Sequence, residues 1–137
     1  MKITLTLPYL PQKELSPNWK PFTLGARWVF IAARDGLRDA IYYEARQALM
    51  LAGIEDVPAF KAICITYTFI CPTNRRRDSD NWVSRMKAAQ DALVLAEVVA
   101  DDTHEQVKVA DPIFRIEKGW SETIIEIEEI AEVLQRA

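Results

Sequence analysis

Between residues 26 and 52 the chain repeats apolar residues at helical steps: Phe30, Ala33, Leu37, Ile41, Ala45 and Ala48 lie three or four positions apart. That spacing lays one apolar stripe along a helix. A stripe this long has to be buried against another layer. Gly53, just past it, supplies a C-terminal stop. The covering layer is legible on both sides. Met1-Lys2-Ile3-Thr4-Leu5-Thr6-Leu7 alternates apolar and polar, as a half-buried strand does. Residues 59–71 are rich in β-branched and aromatic types, with Pro72, Thr73 and Asn74 ending the run. A second helix is expected from about Asp80 to Val98. Two strands are expected near 106–117 and 122–128, the first bulged or edge-placed by Pro112. A short acidic helix is expected over about 129–136, packing through Ile130, Val133 and Leu134. The order implies an α+β fold, a small mixed β-sheet with helices packed against it, in a single domain over residues 1–137.

Residues 8–23 hold Pro8, Pro11, Pro17 and Pro21, which exclude a helix there. Long irregular segments in small domains often serve function, so this one is expected to lie over a site. Half the residues are hydrophobic, enough for a real core, yet no apolar run nears the roughly 20 residues that cross a bilayer. The alternating start does not read as a signal peptide. These features together predict a cytoplasmic protein with no membrane partner. Cys64 and Cys71 flank one strand at a spacing that fits neither zinc nor a redox pair, and read as reduced core residues. His104 follows paired aspartates and reads as a solvated loop histidine or an assistant at a site.

Net charge is −3, but it is unevenly spread. Residues 121–137 carry Glu122, Glu126, Glu128, Glu129 and Glu132 against Arg136 alone. The rest of the chain is close to neutral, and mildly basic once its aspartate cluster is set aside. Such a balance permits nucleic-acid binding without requiring it. Arg27, Arg34 and Arg38 fall near one line on the first helix, either as a solvated face or as a phosphate-contacting stripe.

The chemistry is concentrated in Arg75-Arg76-Arg77-Asp78-Ser79-Asp80-Asn81, followed by Lys87, Asp91 and Asp101-Asp102. On a continuous second helix Asp80, Ser84, Lys87 and Asp91 share one narrow polar face, opposite Trp82, Met86, Ala89 and Leu93. One aspartate at the helix start is explained by capping. Two, with a second pair some 20 residues on, suggest a cluster. Converging carboxylates repel unless a cation joins them. Oxygen-only ligands favour Mg²⁺, with Mn²⁺ as a substitute. Asp78, Asp80, Asp101 and Asp102 are therefore candidate metal ligands, Asp101 in part by orienting its neighbour. Lys87 is placed to hold a phosphate or offset charge on phosphorus. Asp91 and Asn81 are placed to support these groups from behind. Arg75, Arg76 and Arg77 either offset the acids locally or draw in a polyanion.

Taken in order, these elements resemble RusA, the Holliday junction resolvase family of bacteria and their phages. The likeness rests on the basic run, Asp78-Ser79-Asp80-Asn81, Lys87, Asp91-Ala92-Leu93 and Asp101-Asp102. The N-terminal strand, the Pro-containing loop with Asn18 and the late Lys118-Gly119 extend it over most of the chain. The resemblance implies a RusA-like fold and a homodimer that cuts four-way DNA junctions symmetrically with Mg²⁺. It implies that Asp78, Asp80 and Asp102 are the essential acids and Lys87 the functional lysine. The interval from Asn81 to Lys87 is three residues longer here than in the founding member, and the glutamate-rich tail is unlike it. Two other readings stay open: a structure-selective DNA-binding module without catalysis, and a less selective nuclease for flaps and branched DNA.

Overall fold

The alternating N-terminal sequence forms β1, Lys2–Leu7, with Ile3, Leu5 and Leu7 buried and the residues between them exposed. The structure, a computed structural model, describes residues 1–19 and 22–131. After a single 3-10 turn at Lys13–Leu15 comes α1, Leu24–Leu51. Its Thr23 cap accepts a hydrogen bond from the Ala26 N–H at 3.0 Å. The expected stripe is buried at Ala33, Leu37, Ile41 and Ala45, while Leu49 takes the buried place expected for Ala48, and Phe30 and Ala48 are half-buried. Gly53, at φ 71°, closes the helix: its N–H reaches the Met50 carbonyl while the Ile54 N–H reaches Leu49.

β2, Ala62–Cys71, is buried along most of its length. The segment expected as one helix from Asp80 to Val98 is two. These are α2, Ser79–Arg85, and α3, Lys87–Leu95, with Met86 between them at φ −93° and ψ 11°. Met86 is fully buried, and tighter bonds on either side, Met86 N–H to Val83 and Ala89 N–H to Met86, take up the turn. The bend lets Trp82 pack on Phe69 and Phe114 while Ala88, Ala89, Ala92 and Leu93 are buried on α3. Helix α3 also ends in a Schellman arrangement, Val98 N–H to Leu93 and Glu97 N–H to Val94. Here the left-handed position, φ 63°, is held by Glu97 rather than glycine.

The strand expected over 106–117 is likewise two, β3 at Val107–Val109 and β4 at Ile113–Ile116. Pro112 falls in the gap, where a residue without an N–H interrupts the ladder. Both pair in parallel with β2, β3 beside Ile63–Ile65 and β4 beside Thr68–Cys71. β5, Glu122–Ile130, is central, antiparallel to both β1 and β2. The five strands thus form one mixed sheet in the order β1-β5-β2, with β3 and β4 sharing the outer edge of β2. Helix α1 packs on β1 and α3, so the domain is α+β as expected. The acidic helix expected over 129–136 starts too early: Glu129 and Ile130 continue β5, paired with Ile63 and Ala62. Residues 132–136, with Val133 and Leu134, lie outside the described residues. No described helix is long and apolar enough to cross a membrane.

Candidate functional site

The connection from β2 through α2 and α3 to parallel β3 is a crossover, and it sets where each acid falls. Asp78 and Asp80 follow the C-terminal end of β2. Asp101 and Asp102 lie in the turn before β3, beside the N-terminal end of β2, where Phe60 N–H bonds Val98 and Ile63 N–H bonds Gln106. Ten residues of strand, about 30 Å at the usual rise, separate the two ends. Within one chain, therefore, the two acid pairs are not brought together. Among the described residues no group of three or more His, Cys, Asp and Glu side chains is placed to hold a metal ion.

Asp78 is the N-cap of α2, its Oδ1 accepting from the Asp80 N–H at 2.9 Å and the Asn81 N–H at 3.3 Å. Both bonds use one oxygen. Asp80 is exposed in the first turn of the same helix. At the other end Asp101 is tied into its own turn: its Oδ1 accepts from the Asp102 N–H at 2.8 Å, and its N–H donates to Gln106 Oε1 at 3.1 Å. Asp102 and His104 are exposed in that turn. Asp101 is thus engaged with the backbone and Gln106 of its own turn.

The basic run before α2 is not uniform. Arg77 folds back, its guanidinium donating to the Arg75 carbonyl at 2.8 Å and the Thr73 carbonyl at 2.9 Å, and lies 5.8 Å from the Trp82 ring centre. It holds the turn. Arg75 donates to Thr73 Oγ1 at 3.3 Å, and Arg76 is exposed. On α1, Arg34 and Arg38 both reach Asp35, at 3.2 and 3.5 Å, and Arg38 also reaches Asp39 at 3.7 Å. That face therefore carries its own acids, and such exposed pairs hold little energy. Arg27 is exposed nearer the start of α1.

Ser84, Lys87 and Asp91 end up together despite the break at Met86. They line a groove of about 620 Å³ between the Pro-rich segment, α1 and the α2–α3 pair. Asp80, expected on the same face, is not among the lining residues. The facing walls are Trp19 and Phe30, stacked at 6.5 Å with an interplanar angle of 14°, and Arg34, 5.9 Å from the Phe30 ring centre. Arg85 also lines the groove. It is braced against Asn81 Oδ1 at 3.2 Å and the Pro11 carbonyl at 3.5 Å, over the Trp82 ring at 4.5 Å. Partial burial pulls its pKa below the usual arginine value and Glu14 pushes back, which leaves it a cation at neutral pH. Asn81 completes the link by donating from Nδ2 to Ser16 Oγ at 2.8 Å. The Pro-rich segment is thus pinned on α2 and forms one wall of the groove.

Trp19 and Arg85 are groove residues that spacing does not single out. Helical spacing puts Phe30 in the core stripe, but it sits beyond the buried part of α1. An aromatic two positions after Pro17, in a segment with no helix to bury it, was the available signal for Trp19. Compared with known proteins, the chain matches no family model and no curated sequence.

Proposed function

We propose that the protein is a RusA-like, Mg²⁺-dependent endodeoxyribonuclease that cuts four-way DNA junctions as a homodimer. The observation that carries this reading is the groove where Ser84, Lys87 and Asp91 meet Arg34 and Arg85, at the other end of the short helix α2 whose start bears Asp78 and Asp80. Lys87 and Arg85 would hold backbone phosphate, and exposed Arg75 and Arg76 would meet the duplex arm beyond. The donor set at the start of α2 suits a hard cation: Mg²⁺ usually takes one or two carboxylates and completes its shell with water and phosphate oxygens. Asp80, with the oxygen of Asp78 not used for capping, would provide those two. When bound there, the metal would lower the pKa of an attacking water and offset charge on the leaving oxygen. Asp102 reaches such a site only from a second copy whose β2 runs the opposite way, as two-fold pairing allows.

A structure-selective DNA-binding module without catalysis is favoured by one fact. Capping by Asp78 and turn formation by Asp101 account for two of the four acids with no metal. One assay separates the readings. Labelled four-way junction, duplex and flap DNA are incubated with Mg²⁺ or EDTA, using the native protein and Asp80→Asn. Paired symmetric nicks in the junction, lost with EDTA and with the substitution, are expected. Binding without cutting across Mg²⁺ and Mn²⁺ titrations leaves the module, and equal cutting of duplex and junction leaves a general nuclease.

A further inference from the structure

The Trp19–Phe30 ring pair does not belong to the core. It stands in an open groove shared with Arg85 and Lys87, with Arg34 lying over the Phe30 ring on the same wall, on a surface otherwise rich in charge. Core rings are enclosed by apolar neighbours, whereas here apolar faces and cations point into one space. Of the acids among the described residues, only Asp91 lines that space. Arg34 is held by Asp35 and Arg85 by Asn81 and the Pro11 carbonyl, yet a purely apolar guest would offer nothing to Lys87 and the two guanidiniums, and a simple anion would leave the rings uncovered. A nucleotide satisfies both, with a flat π-face for the rings and a phosphate for the cations. The volume, about 620 Å³, is of the size that encloses small ligands. Paired bases in a duplex are stacked on their neighbours and have no free face to offer, so the fit is to an unpaired nucleotide.

We propose that this groove binds one unpaired nucleotide of a nucleic-acid strand, its base against Trp19 and Phe30 and its phosphate on Lys87, Arg34 and Arg85. Ser84 and Asp91 then face the base edge, where they can accept or donate hydrogen bonds. Such a pocket would recognise the strand exchange point of a branched DNA, where bases come unstacked at low cost. The inference rests on the binding half of the function proposed above and is independent of cleavage.

The test is run in EDTA, so that cutting plays no part. Labelled mixed-sequence single strands of about eight nucleotides, the matching duplex, and a strand of the same length made of abasic sites are titrated by fluorescence anisotropy. The single strand is expected to bind more tightly than the duplex or the abasic strand. Trp19→Ala is expected to weaken single-strand binding about tenfold, as loss of one stacking platform does, and Trp19→Phe to restore most of it. Abasic binding should not respond to either change. Because Trp19→Ala could loosen the Pro-rich wall, the native protein is also tested with a strand carrying one 2-aminopurine, whose fluorescence falls when the base stacks on a ring.

Preference for duplex, equal binding of the abasic strand, or unchanged 2-aminopurine emission on binding each overturns the proposal. Junction cutting with no single-strand binding would remove this pocket and keep the nuclease. Ring-dependent binding with no cutting would keep the pocket and remove the nuclease.

Discussion

At the scale of single residues, several side chains have local duties that their sequence pattern raised without deciding. Asp78 and Asp101 each satisfy backbone N–H groups beside them, and Arg77 closes the turn that precedes α2. A run of acids or cations shows charge, but which members are already engaged depends on turn geometry that only the fold sets. Glu97 shows a different kind of hidden constraint. Its left-handed backbone, φ 63°, is strained for any residue with a Cβ, and its side chain is exposed. Glu97→Gly is therefore expected to raise stability by roughly 0.5–1 kcal/mol. Chemical denaturation should show a higher midpoint at unchanged slope, and a lower midpoint would mean that the Glu97 side chain holds something the strain argument misses. Tyr67, by contrast, is a fully buried phenol whose hydroxyl Gln90 approaches without completing a hydrogen bond. Burial pushes its pKa up, so it stays neutral in the core.

At the scale of elements, the periodic patterns were legible and their interruptions were not. The α1 stripe, the alternation of β1 and the apolar run of β2 each formed close to where the spacing put it, with β2 starting at Ala62 rather than residue 59. The second helix broke because both Trp82 and the α3 alanines bury on their own neighbours, a demand from the sheet and α1 that no local window contains. Pro112 did signal trouble in its strand, but the outcome, two short strands at different heights on β2, depends on the length of β2. The groove wall depends on one residue. Asn81 ties Ser16 to Arg85, so Asn81→Ala should free the Pro-rich segment. Faster amide exchange over residues 11–19, with α1 and β2 protection intact, is the expected result, at a cost of about 1 kcal/mol in global stability. Unchanged exchange there would mean that packing of Leu15, rather than the hydrogen bonds, holds the wall.

For the whole molecule, the crossover puts the two acid pairs at opposite ends of β2, and this bears directly on the homodimer reading. If a metal site draws Asp78 and Asp80 from one copy and Asp102 from the other, Asp80→Asn and Asp102→Asn proteins, each inactive alone, should regain cutting when mixed and allowed to exchange. Every mixed dimer then keeps one complete site, so single nicks in the junction replace paired cuts, which a denaturing gel distinguishes. Mixed dimers verified by two affinity tags yet still inactive would mean that the acids act within one chain.

The same separation has an electrical side. At the end where β2 begins, Asp56, Glu97, Asp101, Asp102, Glu105 and Glu129 outweigh Lys61 and Lys108, while at the end where it finishes Arg75, Arg76, Arg77, Arg115 and Lys118 slightly outweigh Asp78, Asp80, Glu117 and Glu122. The chain is thus a dipole aligned with its longest buried strand. Near a polyanion such a body feels a torque that turns its cationic pole forward, so it arrives already oriented. Two copies laid antiparallel put each negative pole beside a positive one and cancel their moments. A pair held that way would meet DNA through a field with the two-fold symmetry of a four-way junction.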